Sequence, residues 1–202
     1  MIPNDALPPV RAVAVFCGSS HGTDPAFADA ARGLGAQLAQ RDIELVYGGG
    51  HVGLMGVIAD AVMSGGGRVH GVITRALAER EVAHPDLTEL EVVETMHDRK
   101  ASMADAADAF VMLPGGFGTL DEFFEALTWT QLGVHAKACG ILDVGGYFGP
   151  LLSFLDTATE RGLLRREHRA MVLVDDDPGA LLEQMRAWSP PPGEKVLTPA
   201  QR

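Results

Sequence analysis

A doubly wound α/β domain, built on a parallel sheet with helices on both faces, is the fold class the sequence predicts, and three observations predict it. Short apolar runs alternate with helical patterns from one end of the chain to the other. The runs are continuous rather than alternating apolar and polar, as expected of strands buried on both faces. Glycine-rich turns follow several of the runs, at the carboxyl edge where such sheets bind ligands.

The elements follow in order. Val13–Cys17 reads as the first strand, and Phe27, Ala30, Ala31, Leu34 and Leu38 recur at the helical spacing of one buried stripe. Glu44–Tyr47 is the second strand, followed by a helix through Leu54, Val57, Ile58, Ala61 and Val62. Val69–Ile73 and Leu90–Val93 are the third and fourth strands. Met96-His97-Asp98-Arg99-Lys100 then opens a helix reaching Met103 and Ala107. Ala109–Leu113, Gly140–Leu142 and Val172–Val174 complete the strands, with an apolar helical stripe at Leu120, Phe123, Phe124 and Leu127. The run Asp175-Asp176-Asp177 before Pro178 reads as a turn and helix start. Right-handed βα units in this order make a single-domain, Rossmann-like sheet. Residues 11–188 form that domain, and the proline-rich segments 1–10 and 189–202 are expected to be loose tails.

The chain has 202 residues, 47% hydrophobic and 21% charged, ordinary values for a globular domain of this size. Its net charge of −11 opposes any broad phosphate-backbone contact, so nucleic acid is not an expected partner. A small phosphate ester remains compatible, because it needs only a helix N-terminus and a few local donors. Two separated cysteines, Cys17 and Cys139, make neither a disulfide framework nor a zinc site, and point to a reducing cytoplasm. No apolar run is long enough to span a membrane, and no leader pattern opens the chain.

Three strand-to-helix junctions are rich in glycine or hydroxyls: Cys17-Gly18-Ser19-Ser20, Gly48 to Gly56, and Pro114 to Thr119. Such turns let backbone amides approach a ligand and cradle phosphate, which makes Ser19 and Gly49 candidate substrate-binding residues. Gly48 to Gly53 matches G-x-G-x-x-G in the second βα unit, but no acidic residue follows the next strand to hold a ribose. A dinucleotide site, a packed tight turn and a nucleotide-facing loop all remain open for it. In Pro114–Glu122, Thr119 and Glu122 fit a capping box with Thr119 as N-cap, whereas Gly115, Gly116 and Gly118 are unexplained by capping and suggest function. Arg99 and Lys100 sit where helix dipoles disfavour cations, so they are either a solvated pair or a fork aimed at an anion. The apolar arc Phe123, Phe124, Ala126, Leu127 and Trp129 is either a wholly buried helix face or a partner surface. His51 and His97 are too isolated to bind metal, so no metal is expected.

The combination of Gly48–Gly56, Met96–Lys100 and Pro114-Gly115-Gly116-Phe117-Gly118-Thr119-Leu120-Asp121-Glu122 resembles the LOG (Lonely Guy) family of cytokinin-activating phosphoribohydrolases, over roughly Val13 to Leu182. The resemblance implies hydrolysis of the N-glycosidic bond of a purine nucleoside 5′-monophosphate, of the N6-substituted cytokinin type, to free base and ribose 5-phosphate. It implies Arg99 and Glu122 as the catalytic pair. As substrate-binding residues it implies Glu81, Lys100 and the loop Gly115, Gly116, Phe117, Gly118, Thr119, Leu120 and Asp121. It also implies a homodimer, with the site completed near the subunit interface. The family's other label, lysine decarboxylase, fits poorly. Lys100, Lys137 and Lys195 are the lysines available for a Schiff base, none lies in a cofactor-like setting, and no cofactor is expected. A non-catalytic nucleotide-binding or carrier protein is the alternative. Glu122 discriminates between the two, because a carrier needs no carboxylate at the anomeric carbon.

Overall fold

The computed structural model describes residues 9–80 and 82–191. Seven strands, β1 (Ala12–Phe16), β2 (Glu44–Tyr47), β3 (Val69–Thr74), β4 (Glu89–Val93), β5 (Ala109–Met112), β6 (Ala138–Leu142) and β7 (Val172–Asp175), form one sheet. The order is β4-β3-β2-β1-β5-β6-β7 and every pairing is parallel. The helices are α1 (Pro25–Gln40), α2 (Gly53–Ser64), α3 (Arg75–Ala78), α4 (Met96–Ala106), α5 (Phe117–Gln131), α6 (Gly149–Glu160), α7 (Arg166–Arg169) and α8 (Pro178–Ala187). Each strand expected from the apolar runs is present within a residue or two. The calls on residues 1–8 and 192–202 lie outside the described residues.

Two cores sandwich the sheet. Val13, Val15, Leu45 and Tyr47 point to one face, where Leu34, Leu38, Leu54, Ile58 and Leu181 from α1, α2 and α8 close over them. Ala14, Phe16, Val46, Phe110 and Met112 point to the other, against Met103, Phe123, Trp129 and Leu155 from α4, α5 and α6. Burial on both faces is why these strands read as continuous apolar runs. Edge strand β4 is the exception, with Leu90 and Val92 exposed.

The chain winds outward from β1 through β2 and β3 to β4, then crosses back to place β5 on the other side of β1. That reversal opens a crevice at the carboxyl ends of β1 and β5, the usual ligand position in this architecture. The loops after these two strands meet there, where the Gly18 amide donates to Pro114 O at 3.0 Å.

The apolar arc on α5 is a buried helix face for the most part. Phe123, Ala126 and Trp129 are buried within this chain, and Phe124 and Leu127 pack half-buried beside them. The sheet and the neighbouring helices thus cover most of the arc.

Candidate active site

The helices that end at the crevice start in different ways. α1 is capped by Asp24, whose carboxylate accepts from Ala26 N at 2.9 Å. α4 is closed by a capping box: Thr95 Oγ1 accepts from Asp98 N at 3.1 Å, and Asp98 Oδ2 accepts from Thr95 N at 3.2 Å. The signature Thr95-x-x-Asp98 is contiguous in the sequence. Asp98 offsets the charge of Arg99 and Lys100 at the helix start.

α5 has no such closure. Its N-cap is Gly116 rather than Thr119, so the expected capping box between Thr119 and Glu122 is not formed. The reason is steric. Thr119 is buried in the first turn with its hydroxyl under Gly115, where a Cβ on Gly115 would lie 2.1 Å from Thr119 Oγ1. The helix can therefore start one turn earlier than the hydroxyl signal suggested. Gly116 and Gly118 have nothing within 4 Å of a Cβ position, and Phe117 is 93% exposed. Open amides at a helix start, with no side chain over them, form an anion-binding surface.

Arg99 is buried and committed. Its Nη1 donates to Glu122 Oε1 at 2.8 Å, its Nε to Val72 O at 3.0 Å and its Nη2 to Gly48 O at 3.4 Å. Gly48 is glycine because a Cβ there would stand 2.0 Å from Arg99 Nη2. The expectation that Arg99 reaches an anion is met by Glu122, an internal carboxylate. The guanidinium fixes that group rather than leaving its fork free for a phosphate. Burial pushes the Glu122 carboxyl above its ordinary range, and the Arg99 charge opposes the shift without cancelling it. Cys17, at the end of β1, feels the Glu122 charge in turn, and burial above all holds its thiol protonated.

Lys100 turns to the outer side of the same pair of helices, with Nζ 3.0 Å from Glu125 and 3.3 Å from Asp121. Asp121 is largely exposed, and Leu120 lies half-buried against the second core. Ser19 is exposed on the loop after β1. Gly49 is buried at φ +72°, a Cβ there would press on Ile73 and Leu90, and its carbonyl accepts from His84 N at 2.8 Å. Glu81 lies outside the described residues. The structure thus brings Arg99, Glu122, Lys100 and the Gly115–Asp121 turn together, with Gly49 next to Gly48, whose carbonyl accepts from Arg99.

The G-x-G-x-x-G reading of Gly48–Gly53 gives way to a packed turn. A Cβ on Gly53, at φ +60°, would fall 2.3 Å from the Ser19 carbonyl carbon, and Leu54 N already donates to Gly18 O at 3.0 Å. The first loop's backbone occupies the place a pyrophosphate would need at α2. Among the described residues no group of three or more His, Cys, Asp or Glu is placed to hold a metal ion, and no helix is long and apolar enough to cross a membrane. A cleft of about 190 Å³ lined by Val10, Asp108, Lys137 and Trp188 lies at the amino edge of the sheet, away from Arg99 and Glu122.

A family model described as "possible lysine decarboxylase" matches residues 55–185. A probable cytokinin riboside 5′-monophosphate phosphoribohydrolase of Oryza sativa subsp. japonica is 48% identical over 188 residues, 93% of this chain and 77% of that protein. A cytokinin riboside 5′-monophosphate phosphoribohydrolase of Arabidopsis thaliana is 45% identical over 180 residues, 89% of this chain and 83% of that one. Among solved structures, a molybdenum cofactor binding protein from Rippkaea orientalis superposes with a TM-score of 0.67 at 18% identity, covering 90% of this chain and 98% of that one. The molybdenum cofactor carrier protein of Chlamydomonas reinhardtii gives 0.65 at 20% identity, covering 89% and 100%. These last two likenesses are of fold alone.

Proposed function

This chain belongs to the LOG phosphoribohydrolase family, the group whose model is described as possible lysine decarboxylases, and we propose that it hydrolyses the N-glycosidic bond of a purine nucleoside 5′-monophosphate. The products are the free base and ribose 5-phosphate, and the base is an N6-substituted adenine of the cytokinin type named in the relatives' descriptions. The observation that carries the reading is the buried Arg99–Glu122 pair beside an uncapped, glycine-rich helix start.

The chemistry follows from that pairing. Loss of the base leaves positive charge on the ribose ring, which a carboxylate stabilises best where water is scarce. Glu122 is that carboxylate, and it also accepts a proton from the attacking water. Burial alone would leave it protonated and useless, so Arg99 supplies the charge that favours the ionised form and aims one oxygen. The amides of the Gly116–Thr119 turn and the α5 dipole receive the 5′-phosphate. Two or three charge-assisted bonds at ~1.5–3 kcal/mol each suffice for affinity near ~100 μM. Lys100, with Asp121 and Glu125, steadies the α4–α5 junction from outside. Glu81 and Leu120 are assigned to the substrate side by family resemblance, Ser19 by its place in the hydroxyl-rich turn after β1, and Phe117 offers an exposed ring at the mouth of the turn.

A non-catalytic carrier is disfavoured by Glu122, whose burial costs stability that a carrier would have no cause to bear. We assign the active form as a homodimer and its compartment as the cytoplasm. The first rests on family resemblance, since the α5 arc no longer argues for it; the second rests on two buried free thiols. The test is a panel of nucleoside 5′-monophosphates assayed for free base, with the corresponding nucleosides as controls. Base release from the monophosphates and near-inert nucleosides is expected. Equal turnover of both removes the phosphate cradle.

A further inference from the structure

We propose that Tyr147 is a positioning residue for the phosphate turn, holding the Gly115–Gly116 peptide in the orientation that presents its N–H as an anion donor. The proposal deepens the reading above and rests on it for the identity of the anion.

The Tyr147 hydroxyl donates to Gly115 O at 2.8 Å. Across a trans peptide the carbonyl of one residue and the N–H of the next point in opposite directions. Fixing the Gly115 carbonyl on Tyr147 therefore turns the Gly116 N–H away from Tyr147. Among the described residues, the amides of Gly116, Phe117 and Gly118 donate to no protein acceptor. The two residues that flank this peptide are both glycine; a Cβ on Gly116 would meet nothing within 4 Å, whereas one on Gly115 would lie 2.1 Å from Thr119 Oγ1. With no Cβ on either flank, the backbone's own preferences do not choose between the two faces of such a peptide, because glycine populates both halves of backbone space. The flipped peptide would put a carbonyl oxygen where an anion binds. One hydrogen bond from outside the turn decides between the two, and Tyr147 supplies it.

Tyr147 is itself built into place. The turn Val144–Gly146 after β6 carries Gly145 at φ +60° and Gly146 at φ +75°, left-handed conformations that L side chains rarely adopt. Asp143 Oδ1 accepts from Phe148 N at 2.8 Å and closes the turn. The Tyr147 ring stands edge-on to Phe27 of α1 at 5.3 Å and to Phe148 at 4.9 Å between centroids. It remains 44% exposed, so the ring is not a core side chain, and its hydroxyl is spent on a loop carbonyl.

The experiment is Tyr147→Phe, which keeps the ring and removes the donor. Ribose 5-phosphate and free adenine binding are measured by calorimetry, together with kcat and KM for a nucleoside monophosphate and the thermal midpoint. The expected result is about a tenfold loss of ribose 5-phosphate affinity, equivalent to ~1.4 kcal/mol. KM should rise by the same factor, with kcat within about twofold and adenine binding unchanged. Unchanged ribose 5-phosphate affinity overturns the assignment, and so does an equal loss of ribose 5-phosphate and adenine, which would mark a merely structural residue. Wild-type protein that binds ribose 5-phosphate but releases no base would sink the hydrolase reading and leave the Tyr147 result legible. Wild-type protein that binds no ribose 5-phosphate overturns both.

Discussion

Two helices, α4 and α5, bring their N-termini to the same crevice and are finished in opposite ways. α4 is capped by Thr95 and Asp98, which satisfy each other's amides, and its contribution is a side chain, Arg99. α5 begins on Gly116 with no side-chain cap, so its contribution is the backbone itself. The difference teaches how one site separates two tasks. The sealed helix holds a charged group rigidly against Glu122, and the unsealed one leaves donors open to an incoming anion. α1 and α8, sealed by Asp24 and Asp177, follow the first pattern. α2 and α6 also start without a side-chain cap, but at α2 the Leu54 amide is taken by Gly18 O, whereas the Gly116, Phe117 and Gly118 amides of α5 donate to no acceptor among the described residues.

The largest expected effect comes from removing what the sealed helix serves. Glu122→Gln keeps an acceptor for Arg99 but loses the carboxylate. Base release should fall by at least ~10²-fold, a barrier increase of ~2.7 kcal/mol, while nucleotide binding survives. Near-wild-type turnover in a folded variant would end the mechanism. Its pH dependence sharpens the point. The carboxyl is pushed above its ordinary range, so wild-type activity should drop, as pH falls, at a higher pH than an exposed glutamate would give. Stability runs the other way. A raised folded pKa favours folding below the unfolded value and loses that benefit as pH rises through the raised one, so ionised Glu122 is a net cost at neutral pH. Relative to Glu122→Gln, the wild type should therefore gain in melting temperature as pH is lowered through that window.

Next comes the geometry of Arg99. In Gly48→Ala the new Cβ would overlap Arg99 Nη2 at 2.0 Å and drive the guanidinium off Glu122. A loss of kcat by roughly 10-fold or more is expected, because misplacing an orienting group by about an ångström is that costly. A variant with unchanged kcat would show that the pair does not need its position.

Gly116→Asp converts the open helix start into a sealed one. The site has space for the side chain, and an Asp N-cap should hold stability level or raise it by a few tenths of a kcal/mol. Monophosphate KM should rise at least ~10-fold, since the cap consumes the amides and adds a repelling charge. Better folding with unchanged KM would refute the division of labour between the two helices. Thr95→Ala, the reverse operation on α4, is the smallest effect. It should cost about 1 kcal/mol and so ~2–4 °C in melting temperature, with kcat near wild type.

The fold was legible because its signal is local and repeated. Runs such as Val13–Cys17 and Ala109–Leu113 are apolar throughout because both sheet faces are covered, and composition records that burial directly. The site was legible in part for the same reason. Three glycine turns and the Arg99-Lys100 pair stand out against propensity, and the motif that carries Glu122 is contiguous. What sequence could not decide is which groups meet. Thr119 looked like a cap from its spacing to Glu122, yet only the packing of its hydroxyl under Gly115 shows that α5 starts at Phe117. Gly49 read as a glycine for close approach to a ligand, and the fold adds a second reason for it, since at φ +72° a Cβ would press on Ile73 and Leu90. Arg99 read as a solvated cation or a fork aimed at an anion, and the crossing of α4 and α5 makes that anion Glu122. Tyr147, 32 residues from Gly115, left only the pair Gly145-Gly146 after a strand as its signal. By itself the sequence determined strand order along the chain, the helical faces and the chemical inventory of the site, since these depend on near neighbours. The tertiary structure alone decided which carboxylate neutralises which cation and which amides stay open, because those choices are made between residues that only the sheet's reversal at β1 and β5 brings together.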